Sequence, residues 1–140
     1  MKQWITLLTV SVLLVAVAAM AANYRYVKQD TFKGWLESGH PMIIVDIQAP
    51  QGFAKAHFKG ALETNAFPVK SAEEKKRLDA TLKKIGVTKD DVAIVCPRGG
   101  GGAKNTYDYL KSKGVDEKRL FILEKGSEGW PWPKFCATGR

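Results

Sequence analysis

Residues 91–113 read DVAIVCPRGGGGAKNTYDYLKSK. The apolar run 92–95 is rich in β-branched residues, which predicts a strand buried on both faces of a sheet. Pro97 ends this strand because proline has no backbone N–H to donate. Cys96 therefore lies at the carboxyl end of the strand. The four glycines that follow, residues 99–102, allow the main chain to take positive φ and to approach a ligand closely.

A helix is predicted directly after the glycines. It begins at Ala103, carries Tyr107 and Leu110 on one face, and ends at Gly114. Backbone N–H groups at a helix start and the helix dipole both favour negative charge. We therefore expect the functional site to be centred on the sulfur of Cys96 or on an anion bound above it.

Short apolar runs and helical patterns alternate along the rest of the chain. The further predicted strands are 24–27, 42–46, 62–64 and 120–123. Three further helices are predicted. The first is capped by Asp30, the second occupies 53–57, and the third begins at a capping box formed by Ser71 and Glu74 and ends at Gly86. This alternation predicts an α/β domain with a mostly parallel central sheet flanked by helices. Such sheets bind ligands at the carboxyl ends of their strands, where Cys96 is expected.

The composition suits a single domain with an excess of positive charge. The chain has 140 residues, 22 lysines and arginines and 14 acidic residues, which gives a formal charge of +8. We expect one domain over residues 22–140. Many of the cations fall in the helix predicted after Ser71, with no interleaved aromatic residues for base stacking. A solvated basic face is therefore expected there, and no nucleic-acid partner.

The first 21 residues have the features of a secretory signal. Met1-Lys2-Gln3 precede the apolar run 4–18, and residues 19–21 (AMA) match a small-x-small cleavage pattern. Cleavage after Ala21 predicts a periplasmic or secreted protein. Retention is the alternative and would anchor the protein in the membrane, facing the periplasm, although the run is short of the ~20 residues that a span needs. A membrane partner is expected only in that second case.

Three familiar motifs fail at the cysteine loop because their spacing is wrong. A Walker phosphate loop needs Gly-Lys-Ser/Thr, but Ala103 precedes Lys104 and Asn105 follows it. A cysteine-dependent phosphatase needs an arginine where this chain has Gly102. A thioredoxin-like pair needs a second cysteine where it has Gly99. The loop therefore favours a lone nucleophilic thiol among backbone N–H groups, with an inert buried cysteine as the alternative.

Three segments of the chain resemble the signatures of rhodanese-type sulfurtransferases. The first is the six-residue loop 96–101. It begins with a cysteine and is followed by a small residue at the start of the helix. The second runs from the strand-Asp segment 43–46 (IIVD) to the His-x-x-Gly-Ala segment 57–61 (HFKGA). The third is the Gly-x-x-Gly-Trp segment within 123–130 (LEKGSEGW). They lie in the family's order and spacing and place the core at about 31–132.

The resemblance implies a three-layer rhodanese-like fold and sulfur transfer without a cofactor. Cys96 would attack a small anionic sulfur donor such as thiosulfate, become a persulfide, and pass the sulfur to a thiol or cyanide-like acceptor. Asp46 and His57 would support the site structurally. The implied substrate and oxyanion-binding loop consists of Pro97, Arg98, Gly99, Gly100, Gly101, Gly102 and Ala103.

Two positions depart from the family's pattern. The family often has an arginine at the sixth loop position, where this chain has Gly101. It often has a second arginine two residues after the strand Asp, where this chain has Gln48. Arg98 is the one cation of the loop and is a candidate to replace the first arginine. A non-enzymatic persulfide carrier or partner-binding module therefore remains as the alternative function, while the oligomeric state and the physiological donor and acceptor stay open.

The remaining cysteine and the histidines carry weaker signals. Cys136 is expected to be an idle tail residue, with a resolving thiol or a bridge to Cys96 as alternatives. His40 is expected to be a turn residue beside Pro41. Two histidines without a cluster of carboxylates predict no metal site.

Overall fold

The central feature of the fold is a parallel β-sheet, described by a computed structural model that covers residues 23–140. The predicted signal sequence and its cleavage site lie outside the described residues. Five strands form this sheet: β1 (Tyr26–Val27), β2 (Met42–Asp46), β4 (Leu62–Glu63), β5 (Asp91–Val95) and β6 (Leu120–Leu123). Two further strands, β3 (His57–Phe58) and β7 (Cys136–Ala137), pair antiparallel as a separate ribbon.

The sheet order is β1-β6-β5-β2-β4, and every pair in it is parallel. The strand that precedes Cys96 is therefore central, between β6 and β2. Its last residue, Val95, is in register with Asp46 at the end of β2. Parallel neighbours end at the same edge of a sheet, so the segments that follow β2, β4, β5 and β6 all come together around Cys96.

Helices cover both faces of the sheet, which gives the predicted three layers. The α-helices are α1 (Gln29–Ser38), α2 (Pro50–Lys55), α3 (Ala72–Lys76), α4 (Asp79–Gly86) and α5 (Gly101–Ser112). Single 3₁₀ turns occupy Glu117–Arg119 and Pro133–Phe135. Among residues 23–140, no helix is long and apolar enough to cross a bilayer.

Alternate residues of the central strand point to two separate hydrophobic clusters. Ile94 and Cys96 join the cluster that is closed by α4 and α5, where Leu110 is fully buried. Val95 joins the other cluster, which Phe32 of α1 covers. The two-residue period of a strand thus places Cys96 on the α5 side of the sheet.

Three helix predictions need correction. The helix expected from Ser71 to Gly86 is broken into α3 and α4, because the main chain tightens at Leu78: its N–H donates to the carbonyl oxygen of Lys75, three residues back, and its own carbonyl oxygen accepts from the N–H and hydroxyl of Thr81. The predicted 53–57 helix begins earlier, at Pro50, since proline at the first helical position has the required φ and needs no N–H partner. Asp30 is not a cap but lies in the first turn of α1.

Candidate active site

The sulfur of Cys96 accepts a hydrogen bond from the main chain of its own loop. The N–H of Gly99 donates to Sγ at an N–S distance of 3.0 Å. Gly99 has φ of +71°, and a β-carbon there would lie 2.9 Å from the carbonyl oxygen of Leu123. Glycine is therefore required at this position for both conformational and steric reasons. Only 2% of Cys96 is exposed, so the loop determines which groups reach the thiol.

The first turn of α5 leaves a group of peptide N–H groups beside the cysteine. The helix begins at Gly101, two residues before the predicted start. The backbone N–H groups of four successive residues have no acceptor anywhere in residues 23–140: Gly100, Gly101, Gly102 and Ala103. Such unpaired donors are normal at a helix start and make it suitable for an anion.

A cavity of about 480 Å³ opens over the cysteine. Part of its lining is the predicted loop: Cys96, Pro97, Arg98, Gly100, Gly101 and Gly102. Gly99 instead bonds to the sulfur from within the loop, and Ala103 is buried in the core. The predicted loop residues are thus brought together, but they do not all face the cavity.

Four residues that sequence reasoning missed complete the cavity: Phe67, Pro68, Lys70 and Glu128. The first three follow β4, and Glu128 follows β6. Their position could have been predicted, because parallel sheets bind ligands at the carboxyl ends of neighbouring strands. The order of the strands had to be known before that signal identified these residues.

The segment after β6 fixes the main chain of the cysteine loop. The N–H of Ser127 donates to the carbonyl oxygen of Cys96, and the N–H of Glu128 donates to that of Pro97, both at 2.9 Å. Gly126 has φ of +63°, and a β-carbon at this position would overlap the Cys96 carbonyl oxygen. The Gly-x-x-Gly-Trp segment therefore positions the loop through backbone contacts.

Arg98 points toward solvent and meets a carboxylate there. Its Nε lies 3.3 Å from Oε2 of Glu128, and the two side chains are 86% and 60% exposed. Arg98 lines the cavity as predicted for a loop cation, but its charge is paired with that of Glu128.

Asp46 organises the turn after β2. Its carboxylate accepts hydrogen bonds from the backbone N–H and from Nε2 of Gln48, each at 2.9 Å. Burial raises the pKa of Asp46 to about 6, and the two bonds from Gln48 oppose that rise. Gln48 stands where the family often has an arginine, and its neutral amide brings no charge to offset the burial. Asp46 does not line the cavity.

The histidines make separate local contacts. Nδ1 of His57 lies 2.8 Å from the carbonyl oxygen of Phe53, and the two rings stack with their centroids 3.9 Å apart. His40 is more than the expected turn residue, because its Nε2 lies 2.8 Å from Oδ2 of Asp91. Over the described part of the chain, no three potential metal ligands form a group.

Cys136 lies on the other side of the sheet from Cys96. It pairs with Phe58 across the β3–β7 ribbon and packs against the cluster that Phe32 covers. Both cysteines are free, so the bridge that the sequence left open is not formed. Burial and then the nearby charge of Asp46 raise the pKa of the Cys136 thiol.

A family model described as a rhodanese-like domain matches residues 28–131. The chain belongs to the rhodanese-like family. This match confirms the family resemblance that the sequence signatures predicted and includes every candidate site residue: Asp46, His57 and 96–103. A search of curated proteins found no match.

Solved structures share the rhodanese-like fold at low sequence identity. Ygr203w, a yeast protein tyrosine phosphatase of the rhodanese family, has 18% identity and a TM-score of 0.59, covering 79% of this chain and 85% of that one. The As-Sb reductase of Leishmania major has 14% identity and a TM-score of 0.63, with coverages of 83% and 86%. The thiosulfate sulfurtransferase of Pseudomonas aeruginosa has 20% identity and a TM-score of 0.61, covering 84% of this chain but 20% of that one. These likenesses confirm the α/β fold.

Two neighbouring glycines of this rhodanese-like loop differ in the space around them. A β-carbon at Gly102 would come within 3.0 Å of the Phe67 ring and 3.1 Å of Ile47, so those side chains would have to shift. Gly101 has nothing within 4 Å of that point. The position where a cysteine-dependent phosphatase needs its arginine is thus closely packed, while the sixth loop position is open.

Proposed function

We propose that this rhodanese-like protein is a sulfurtransferase that works outside the cytoplasm. It takes sulfane sulfur from thiosulfate or a related anionic donor, carries it as a persulfide on Cys96, and gives it to a thiol or cyanide-like acceptor. One observation carries the proposal: the sulfur of Cys96 lies at a cavity formed by the start of α5 and accepts the Gly99 N–H.

The first half of the reaction is a nucleophilic displacement at sulfur. The Cys96 thiolate attacks the outer sulfur of thiosulfate, and a new sulfur–sulfur bond forms while the bond within thiosulfate breaks. Its electron pair leaves with sulfite, so the total charge is the same before and after the step. The resulting Cys96 persulfide is an anion, and unpaired N–H groups of Gly100, Gly101 and Gly102 are available at the cavity to stabilise it.

The second half returns the cysteine to its starting state. A nucleophile such as cyanide attacks the terminal sulfur of the persulfide and forms thiocyanate, and the electron pair of the broken bond returns to Cys96 as thiolate. A thiol acceptor would leave with the sulfur as its own persulfide. Neither half consumes a redox cofactor.

Placement outside the cytoplasm is supported by the sequence of the first 21 residues. The apolar run 4–18 and the AMA pattern at 19–21 favour export, with cleavage after Ala21. Membrane anchoring through a retained segment is the second form of this proposal. N-terminal sequencing of the exported protein separates the two.

Intact-mass measurement tests the persulfide directly. Incubation with thiosulfate should add the mass of one sulfur atom, and later addition of cyanide should remove it and release thiocyanate. Cys96→Ser should abolish the gain in mass, whereas the control Cys136→Ser should retain it. A wild-type protein that never gains sulfur would refute the proposal.

A non-enzymatic sulfur carrier is the second candidate. It is favoured by the open glycine at position 101 and by the pairing of Arg98 with Glu128, which together leave the loop without an unpaired cationic side chain. Uptake of one sulfur without catalytic release to cyanide or thiols would support the carrier.

A further inference from the structure

We propose that Lys70, and not the loop residue Arg98, is the cation that draws anionic sulfur donors to Cys96. This assignment rests on the proposed sulfurtransferase function and names a specificity-determining residue for it. Three observations carry it: the location of Lys70 in the cavity, the lack of an ion-pair partner for it, and the neutralisation of Arg98.

Lys70 lines the same cavity as the cysteine loop. It follows Phe67 and Pro68 on the segment after β4, whereas the cysteine loop follows β5. Phe67 and Pro68 also line the cavity, and the Lys70 side chain is exposed at its edge.

The ammonium group of Lys70 has no carboxylate within ion-pair distance in residues 23–140. Two acidic residues follow Lys70 in its own segment, Glu73 and Glu74, and Glu73 pairs with Arg77 at 3.3 Å while Glu74 caps α3. The Glu74 carboxylate accepts the backbone N–H groups of Lys70 and Ser71, each at 3.0 Å. The Lys70 charge is therefore left for a ligand of the cavity.

Arg98 and Glu128 act on the cavity as a neutral unit. Both line it, and their side chains pair at 3.3 Å on its exposed rim. Without Arg98, the carboxylate of Glu128 would repel an anionic donor. We therefore assign to Arg98 the role of cancelling Glu128, which leaves Lys70 as the source of net positive charge.

The test compares two alkylating reagents that differ in charge, iodoacetate and iodoacetamide. Both alkylate a thiolate with loss of iodide, so the ratio of their rates at Cys96 reports the electrostatic potential there, independently of sulfur transfer. The full-length protein with Cys136→Ser is used throughout, so that only Cys96 reacts. The variants added to it are Lys70→Gln, the double variant Arg98→Gln with Glu128→Gln, and the control Lys76→Gln, which removes an exposed charge of α3 outside the cavity.

Lys70→Gln should lower the iodoacetate-to-iodoacetamide ratio by about fivefold, since one unit charge near the anion is lost. It should also slow sulfur uptake from the thiosulfate dianion by roughly 25-fold, because doubling the ligand charge doubles the Coulomb energy. The double variant and Lys76→Gln should change the ratio by less than about twofold. Glu128→Gln alone should raise the ratio, because it leaves Arg98 unpaired.

The assignment is wrong if Lys70→Gln leaves the ratio within about twofold of its parent. It is also wrong if the double variant lowers the ratio as much as Lys70→Gln does, because Arg98 would then be the attracting cation. Absence of sulfur uptake in every protein, including the parent, would instead count against the proposed function, and the alkylation ratio would still decide the role of Lys70.

Discussion

The main chain of Gly126 occupies the space beside the carbonyl group of Cys96, where a β-carbon would overlap the oxygen. Gly126→Ala must therefore displace the cysteine loop or its own turn, and it also places alanine at φ of +63°. The left-handed conformation alone costs about 1–2 kcal/mol. We expect the free energy of unfolding to fall by at least about 2 kcal/mol and sulfur uptake at Cys96 to slow.

Urea unfolding and intact-mass kinetics measure these two effects. Gly34→Ala is the matched control, because its β-carbon meets nothing within 4 Å and helix α1 favours alanine by about 0.5–1 kcal/mol. Equal stability of the Gly126 and Gly34 variants would contradict the contact.

An arginine at position 101 should strengthen the proposed reaction. Gly101 is the first residue of α5 and lines the cavity, and a β-carbon there meets nothing within 4 Å, so Gly101→Arg should add a cation at the cavity. We expect sulfur uptake from thiosulfate to rise by about fivefold or more from one added charge. Gly102→Arg is the matched comparison, and it should lose stability because Phe67 and Ile47 must move. Thiosulfate kinetics and thermal unfolding of both variants check this, and a faster Gly102 variant would oppose it.

The buried carboxyl group of Asp46 should make stability depend on pH. Its pKa is raised from the usual 3.8 to about 6, so the folded state binds the Asp46 proton more tightly than the unfolded state does. This contribution is fully present below pH 4 and is lost as the pH rises through 6. The difference is about 3 kcal/mol at 1.36 kcal/mol per pH unit.

Asp46→Asn removes this titration. The free energy of unfolding of the wild type, relative to that of the variant, should therefore fall by about 2 kcal/mol between pH 4 and pH 7. Urea unfolding of both proteins across this range measures it. A difference that stays constant with pH would show that the Asp46 carboxyl is not perturbed in the folded state.

The two thiols should behave as independent groups. Burial and the Asp46 charge raise the pKa of Cys136, so its alkylation by iodoacetamide should be slower than that of an unperturbed thiol at pH 8 and should accelerate as the pH rises. Cys136→Ser should leave sulfur uptake at Cys96 within about twofold of wild type. Peptide mapping after timed alkylation follows each cysteine separately. A large loss of uptake in this variant would assign Cys136 a part in the reaction.

The strands and the cysteine loop were predictable because their signals are local. Short runs of β-branched residues are typical of buried parallel strands, and Met42–Asp46 and Leu120–Leu123 form where such runs occur. The turn from Cys96 into a helix follows from Pro97 and the glycines after it. The family signatures then supplied the layered architecture.

The missed features depend on contacts between distant segments. Lys70 and Glu128 reach the cavity only because β4 and β6 end at the same sheet edge as β5. The break between α3 and α4 depends on the three-residue hydrogen bonds around Leu78, which a helical pattern alone did not reveal. The β3–β7 ribbon pairs segments about 80 residues apart in the chain, and its residue His57 falls within the predicted 53–57 helix, which ends at Lys55 in the structure.

The position of Cys136 on the far face of the sheet leaves Cys96 without a thiol of its own chain to rescue it. The protein has just two cysteines, so an internal disulfide cannot intercept a sulfenic acid formed at Cys96. Repair must come from a thiol on another molecule, and without it oxidation proceeds to the irreversible sulfinic and sulfonic acids. We therefore expect recovery of Cys96 from oxidation to depend on the thiols and reductants that surround the protein.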